Sequence, residues 1–413
     1  MLVSLLLKSL IRVGKLTVID ATGKPHPFKG SDGPAVTVRL HNRSLHHRLF
    51  INPPPALGES YSDGTLTIED GTLYDFLELI GLNMNLAGQS QLQGSTGWLL
   101  RALRRFQQFN PKRLSRFNVA HHYDLSSAFY DLFLDSERQY SCAYFALPGA
   151  SLEQAQEWKK RHIAAKLLLR PGHRVLDIGC GWGGMAVFLA RETGCEVTGL
   201  TLSAEQLNFA EKSARKAGLS DRVRFYLRDY RDETGCFDRI VSVGMFEHVG
   251  IDYFKGFFRQ VYDLLSEDGI ALLHTIGRID GCGFTDPWIR KYIFPGGYLP
   301  ALSEILPAME KTRLWTTDIE VLRLHYAKTI KCWRQRFLAN RTKAEVLYDE
   351  RFCRLWEYYL TISEITFRYL ATKVFQIQLA KSQDAVPLTR DYIGELESGF
   401  AKSEPLSGYP VAS

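Results

Sequence analysis

Residues 174–184 read RVLDIGCGWGG, and this stretch decides the fold. A short, mostly apolar run enters a Gly-rich turn and passes straight into GGMAVFLARETG, which has a helical period. Glycines between a strand and a helix permit a tight turn and let a ligand approach the backbone closely. Gly179, Gly181 and Gly184 satisfy GxGxxG, the dinucleotide fingerprint, which is weak evidence when it stands alone. Two features argue against a dinucleotide. Asp177 precedes the first glycine by two positions, and the next strand ends in GLTLS (199–203), without the acid that usually grips a nicotinamide cofactor's ribose.

Downstream of this turn, EVTGLT, VRFYLRD, DRIVSVG and IALLHTI read as further strands. SAEQLNFAEKSARKAG and YFKGFFRQVYDLLSEDG lie between them with helical period, so a doubly wound α/β sheet is expected from Arg174 onward. VFQIQLA (374–380) reads as a last strand, and 280–370 as an aromatic-rich, largely helical segment. Upstream, LTVID, AVTVRL, HRLFI and TLTIED are short alternating segments separated by the turn clusters FKGSDGP and NPPPALGES. They predict a small α+β domain closed by a helix at GTLYDFLELIGLN. Residues 83–97, rich in Gly, Gln, Ser and Asn, read as a linker. In 98–118, Trp98, Leu99, Ala102, Leu103, Phe106 and Phe109 recur at helical spacing opposite Arg101, Arg104 and Arg105. The expected organisation is an α+β domain over 1–96, a basic amphipathic linker helix over 97–118, a catalytic domain over 119–395 and a flexible tail over 396–413.

The net charge of +6 is unevenly placed. Residues 1–118 hold 14 Lys/Arg against 8 Asp/Glu, while 119–413 hold 37 of each, so the N-terminal part is the half suited to an anionic partner. The seven cysteines are scattered without a CxxC pair, which fits reduced thiols in a cytoplasmic setting. The apolar N-terminus is broken at Lys8 and Arg12 and lacks a small-residue cleavage site, so no signal peptide is expected. No 18-residue apolar run exists, and any membrane contact is expected to be peripheral. His121-His122-x-Asp124 has metal-ligand residue types, but adjacent histidines do not readily face one ion, and no metal is predicted.

NVAHHYDLSSAFYDLFLD, QYSCAYF, VLDIGCGWGG, GLTLSAEQ, MFEHVG, LLHTIG, KYIFPGGYLP and LRLHYAKTIKCW follow one another between about Phe117 and about Ala380. The Gly-rich element resembles motif I of the S-adenosylmethionine-dependent methyltransferases, and the ordered set resembles the cyclopropane-fatty-acyl-phospholipid synthases. The N-terminal region resembles, more loosely, the small domain preceding the catalytic domain in full-length members. This resemblance implies a class I, Rossmann-like methyltransferase sheet with a helical lipid-site insertion. It also implies transfer of a methylene from S-adenosylmethionine across the cis double bond of an unsaturated phospholipid acyl chain. The alkene attacks the activated methyl, a carbocation forms, and loss of a proton to bound bicarbonate closes the ring.

Carried over by motif, the bicarbonate holders implied are Cys142 of YSCAYF, Glu247 of MFEHVG, His274 and the backbone amide of Ile276 in LLHTIG, and Tyr326 of LHYAKT. Glu247 is the odd member, since two anions repel unless one of them holds a proton; a proton shared with bicarbonate resolves this. For the cofactor, Tyr140 and Ser141 are implied at the amino-acid end, Gly179 and Gly181 along the turn, Thr201 and Gln206 near the ribose and Tyr230 beside the adenine. Asp177 suits the cofactor's amino group.

Each of these residues also has a plainer reading. A lone Cys142 is most often a small buried hydrophobe, and a lone His274 a satisfied core histidine, although it ends a strand at the ligand edge. His248 reads as loop support. The aromatics Phe284, Trp288, Tyr292, Phe294, Tyr298, Trp315, Tyr326 and Trp333 read mainly as packing, with one or two expected to face the cation. Ser126-Ser127 stand where HHYDLGN is frequent, and AYF replaces a commoner YW, which leaves the acyl substrate open. Rival readings are a methyl- or methylene-branched product from the same substrate, and a lipid carrier with a vestigial fold, against which the intact Cys142/Glu247/His274/Tyr326 set argues. No PPY-type motif ends the fourth strand and the catalytic half carries no net charge, so nucleic acid is not an expected partner. The expected partners are unsaturated phospholipid and an anionic membrane surface, at the inner face of the membrane, with a homodimer left open.

Overall fold

The structure is a computed structural model and describes residues 3–87 and 125–402. The expected amphipathic helix at 98–118 and the His121/His122/Asp124 group lie outside the described residues.

The N-terminal strands are β1 (Val13–Ile19), β2 (Pro25–Lys29), β3 (Ser31–Leu40) and β4 (Leu66–Asp70). They form one sheet in the order β2-β1-β3-β4, with β1 parallel to β3 and the other pairs antiparallel. Leu16, Val18, Val36, Val38 and Leu40 alternate inward onto a core shared with the helix Leu73–Ala87. Two expectations fail here. HRLFI is not a strand but part of the helix Leu45–Ile51, and its Phe50 and Ile51 point to solvent. NPPPALGES is not a turn cluster but the helix Pro53–Ser62, since proline is well placed in a first helical turn, where its missing N–H costs nothing. The linker expected from 83 begins inside the helix Leu73–Ala87. Asn83 fixes this helix to β1: its Oδ1 accepts the Arg12 and Val13 amides at 2.7 and 2.9 Å, and its Nδ2 donates to Val13 O at 2.9 Å.

The second sheet has seven strands: β5 (Arg174–Ile178), β6 (Glu196–Thr201), β7 (Val223–Leu227), β8 (Phe237–Val243), β9 (Leu265–Arg278), β10 (Trp315–Val321) and β11 (Thr372–Ala380). Their order is β10-β11-β9-β8-β5-β6-β7. β5 to β9 are mutually parallel, while β11 runs antiparallel to both β9 and β10. β5, β8 and β9 are buried on both faces along much of their length, as the central strands of a sheet covered by helices must be. The chain leaves β5 toward β6 on one side and later returns on the other as β8. A crevice therefore opens at the carboxyl ends of these strands. β10 lies inside the segment expected to be helical. It is an edge strand with no buried residue, so it shows no apolar alternation to read.

Around β10, the helices Pro287–Tyr292, Leu302–Glu310, His325–Ala339, Arg341–Leu347 and Glu350–Tyr369 make the insertion. The long helix Glu350–Tyr369 packs on His325–Ala339 and also on Pro53–Ser62 and Leu73–Ala87, joining the two sheets' surroundings. Arg351 bonds Asp63 at 2.7 Å and Tyr369 donates to Glu78 at 2.6 Å across this seam. The flexible tail expected from 396 instead starts within the helix Asp391–Lys402, where Glu397 meets His162 Nδ1 at 2.5 Å.

Candidate active site

A cleft opens at the carboxyl ends of β5, β6 and β8. All eight residues expected at the cofactor line it: Asp177, Gly179, Gly181, Thr201, Gln206, Tyr230, and Tyr140 with Ser141 from the segment before β5. Gly179 and Gly181 adopt φ of +83° and +53°, which side chains other than glycine rarely tolerate. A Cβ on Gly179 would stand 2.8 Å from Met245 Cβ, so the turn is also too tight for one. Gly179 and Cys180 donate their amides to Leu200 O at 3.0 and 2.9 Å, tying the turn to β6.

Asp177 is the last residue but one of β5, buried, and its Oδ2 has no hydrogen-bond partner. Burial pushes its carboxyl up to about 7, opposed by the Lys159 ammonium. Thr201 Oγ1 donates to Gln206 Oε1 at 2.9 Å, and Ser203 caps the helix Ala204–Lys216 that carries Gln206. Tyr140 shares a 2.8 Å hydrogen bond with Tyr359, and burial holds its phenol well above the usual range. Tyr230 packs edge-on to Phe257 at 5.4 Å.

The five residues expected at the anion fall into two groups, one on the sheet and one at the helical insertion, and none of them lines the cofactor cleft itself. On the sheet side, Glu247 sits in the 3-10 turn Phe246–His248 after β8, and His274 and Ile276 lie two apart on β9, hence on one face. Glu247 Oε1 accepts the Ile276 amide at 2.6 Å. The amide expected on the anion is thus bonded to another member of the set, because the turn after β8 lays the carboxylate against β9. Glu247 Oε2 is buried without a partner, and burial pushes the carboxyl up to about 7 against the pull of the Ile276 N–H. His274 Nδ1 meets Gln376 Nε2 at 3.2 Å across the β9–β11 pairing. Burial holds its imidazole down at about 3, hence neutral.

On the helix side, Cys142 is buried, and burial pushes its thiol up. The next residue, Ala143, donates its amide to Thr329 Oγ1 at 3.0 Å, fastening this segment to the helix His325–Ala339. Tyr326 lies in that helix's first turn, its ring 4.6 Å from Phe367 and 5.8 Å from Trp333.

Three residues on or behind the cleft were not singled out from sequence as site residues. His248 was read as loop support, but it lines the cleft, neutral, with burial holding it down at about 4. Asp229 follows the third strand and lines the same cleft, bonded to Arg231 at 2.6 Å. Asp229 is visible in VRFYLRD once that strand tip is recognised as ligand edge. Lys159 lies fully buried behind Ser141.

Of the aromatic run, Trp315 is on the outer edge strand, 51% exposed, and Trp288 packs against Tyr358 beneath the N-terminal helices, so neither borders the site. Phe294 lies 6.1 Å from both His248 and Tyr359, and Trp333 lies 5.1 Å from Tyr140, which places these two at its margin. The arrangement combines a cleft at the strand tips with a buried carboxyl near neutrality and a neutral imidazole on β9. Such a carboxyl can hold or share a proton away from water.

Residues 111–377 match the family model of mycolic acid cyclopropane synthetase. Over 83% of this chain and 87% of the relative, the sequence is 38% identical to the cyclopropane-fatty-acyl-phospholipid synthase of Escherichia coli K12. A probable fatty acid methyltransferase of Pseudomonas putida is 42% identical over 60% of this chain, a match spanning 65% of that relative. The crystal structure of the mycolic acid cyclopropane synthase CmaA1 complexed with SAH and CTAB superposes with a TM-score of 0.61 at 34% identity. It covers 66% of this chain and 99% of its own. The sheet order, the Gly-rich cleft and these matches agree: the chain belongs to the cyclopropane synthase family of class I, S-adenosylmethionine-dependent methyltransferases.

Proposed function

We propose that this enzyme transfers a methylene from S-adenosylmethionine across the cis double bond of an unsaturated phospholipid acyl chain, with bicarbonate as the proton acceptor. The observation that carries the reading is Glu247. It is a buried carboxyl poised near neutrality, with Oε2 lacking a partner and Oε1 on the amide of Ile276, two residues along β9 from a neutral His274. A carboxyl in that state can hold the shared proton that lets a second acid anion sit beside it. Cys142, Tyr326 and His274 would complete the anion's surroundings.

The residues present fit the cofactor. Asp177 lines the cleft, and its Oδ2 is an orphaned buried acceptor suited to an ammonium. When bound, S-adenosylmethionine supplies an activated methyl group on a sulfonium. Tyr140, Ser141, Thr201, Gln206 and Tyr230 would orient it. The aromatic margin would keep water from the cation that develops on the acyl chain and stabilise it by roughly 0.5–2 kcal/mol per favourable ring face.

The substrate double bond lies within a leaflet. Drawing about eight methylenes out of lipid costs on the order of 6 kcal/mol, which an apolar protein pocket must offset. We place the enzyme at the cytoplasmic face of an anionic membrane. A surface groove bordered by Arg48, Arg290 and Lys291, beside the exposed Ile51, supports that orientation.

The test is incubation with S-adenosylmethionine and unsaturated phospholipid vesicles, followed by mass spectrometry of the acyl chains. A gain of one methylene with loss of the double-bond signal supports the reading. Retention of that signal gives the methylene-branched alternative, which the match to a fatty acid methyltransferase keeps in play. Glu247→Gln is expected to lose about 100-fold or more in turnover while binding S-adenosylmethionine within about threefold of wild type. Full turnover in that variant refutes the proton-sharing role.

A further inference from the structure

The helix Leu152–Lys166 buries three lysines, Lys159, Lys160 and Lys166. Two of them pair with carboxylates. Lys160 meets Glu137 and Glu157 at 2.6 and 2.8 Å, and Lys166 meets Glu320 and Asp318. Lys159 differs. Its Nζ donates to Gln139 Oε1 at 2.6 Å and to Ser141 Oγ at 2.9 Å, both neutral oxygens, and no carboxylate among the described residues forms an ion pair with it. The nearby Asp135 accepts the backbone amides of Glu137 and Gln139 instead. Burial lowers the Lys159 ammonium only to about 8, so it stays charged at neutral pH.

A buried cation hydrogen-bonded only to neutral groups keeps a field that the nearby Asp135 offsets only at a distance, and an anion nearby gains far more from it than from a charge in water. The field of Lys159 reaches Cys142, Asp177 and His274. Its partner Ser141 is the residue before Cys142, and both Gln139 and Ser141 line the cleft. The four side chains offered to the anion are a thiol, a carboxyl, a phenol and a neutral imidazole. None of them is a cation.

We propose that Lys159 is the positioning cation of this site: from behind the cleft wall it fixes Gln139 and Ser141 by two hydrogen bonds and supplies the positive charge that balances a small anion held among Cys142, Glu247, His274 and Tyr326. This rests on the bicarbonate reading above. Lys159 acts through Ser141 and through its field, not by touching reacting atoms.

The experiment uses the full chain saturated with S-adenosylhomocysteine, whose thioether lacks the sulfonium charge. Thermal unfolding is followed while sodium bicarbonate is titrated at constant pH and ionic strength against sodium chloride. Binding to the folded state raises the midpoint. In Lys159→Met, and in Lys159→Gln, which keeps a hydrogen-bond donor should Met fail to fold, the half-saturating bicarbonate concentration is expected to rise about tenfold or more. Lys159→Arg is expected to stay within about threefold of wild type. S-adenosylhomocysteine affinity by calorimetry is expected to stay within about threefold of wild type in Lys159→Arg, and to fall by less than the bicarbonate response in Met and Gln, which loosen Ser141 and remove the charge near Asp177. An unchanged bicarbonate response in Met and Gln overturns the proposal, as does a loss of S-adenosylhomocysteine affinity as large as the loss of bicarbonate response. A wild type that does not respond to bicarbonate overturns the proton-acceptor reading itself.

Discussion

Asp177 and Glu247 are both buried carboxyls pushed up to about 7, and under the proposed function they would have different tasks: Asp177 on the cofactor's ammonium, Glu247 beside the anion. To pair with the cofactor's ammonium Asp177 must be ionised, and below about pH 7 that requires losing a proton. S-adenosylhomocysteine affinity, measured by calorimetry at pH 6, 7 and 8, is therefore expected to rise by up to about tenfold from pH 6 to 7 and to flatten above it. In Asp177→Asn the affinity should be weaker and nearly independent of pH. The same residue bears on stability with a definite sign. Its folded pKa lies above the unfolded 3.8, so the folded state is favoured below that value. This contribution is lost as pH rises through about 7. Ligand-free Asp177→Asn is expected to be more stable than wild type at pH 8, by about 2–4 kcal/mol at most, and to lose that advantage near pH 4. Denaturant midpoints at the two values check it. At this scale, residues in ordered motifs at strand tips were legible, because a strand tip on the ligand edge admits few roles. Lys159 was not. In LEQAQEWKKRHIAAK a lysine reads as part of a solvated face, and only packing of the whole helix reveals that Lys159 is inside.

Elements were legible where burial imposes a period and obscure where it does not. The central strands stood out because both faces are covered. β10 did not, because its seven residues lie at an open edge. Pro53–Ser62 was hidden by three prolines that, taken singly, mark a turn, and that in a first helical turn mark a start. This last helix carries a testable consequence. Gly58 faces Trp288, and a Cβ there would stand 2.3 Å from the indole Nε1. Gly58→Ala is expected to destabilise the protein by about 1–3 kcal/mol through overpacking. Gly394, in the helix Asp391–Lys402, has nothing within 4 Å of a built Cβ. There the same substitution should stabilise by about 0.5–1 kcal/mol, as expected of alanine in a helix interior. Opposite signs for one chemical change, read from urea midpoints, test whether the Pro53–Ser62 helix is seated on Trp288 as described.

At the scale of the whole molecule, the proposed reaction on a double bond inside a leaflet would demand that the enzyme hold the bilayer while a chain is withdrawn. No helix among the described residues is long and apolar enough to cross a membrane. Under the proposed function, attachment would draw on surface charge and exposed apolar residues. Arg48, Arg290 and Lys291 border a groove between the N-terminal helices and the helix Pro287–Tyr292, with Ile51 78% and Phe50 40% exposed alongside. Glu59 offsets part of this charge by pairing with Arg48 and Lys291 at 2.8 and 2.7 Å, so the groove is only partly basic. A second basic group, Arg101, Arg104 and Arg105, lies outside the described residues. Each cation near an anionic surface contributes about 1 kcal/mol, and the contribution falls as salt shortens the screening length. Neutralising either triplet should weaken sedimentation with anionic vesicles by about tenfold or more at low salt, and raising the salt should erase the difference between variant and wild type. If only the Arg101/Arg104/Arg105 variant weakens, the groove is not the docking face. Unchanged binding in both variants and at high salt refutes electrostatic attachment altogether. The apolar residues Phe50 and Ile51 would then have to hold the membrane alone.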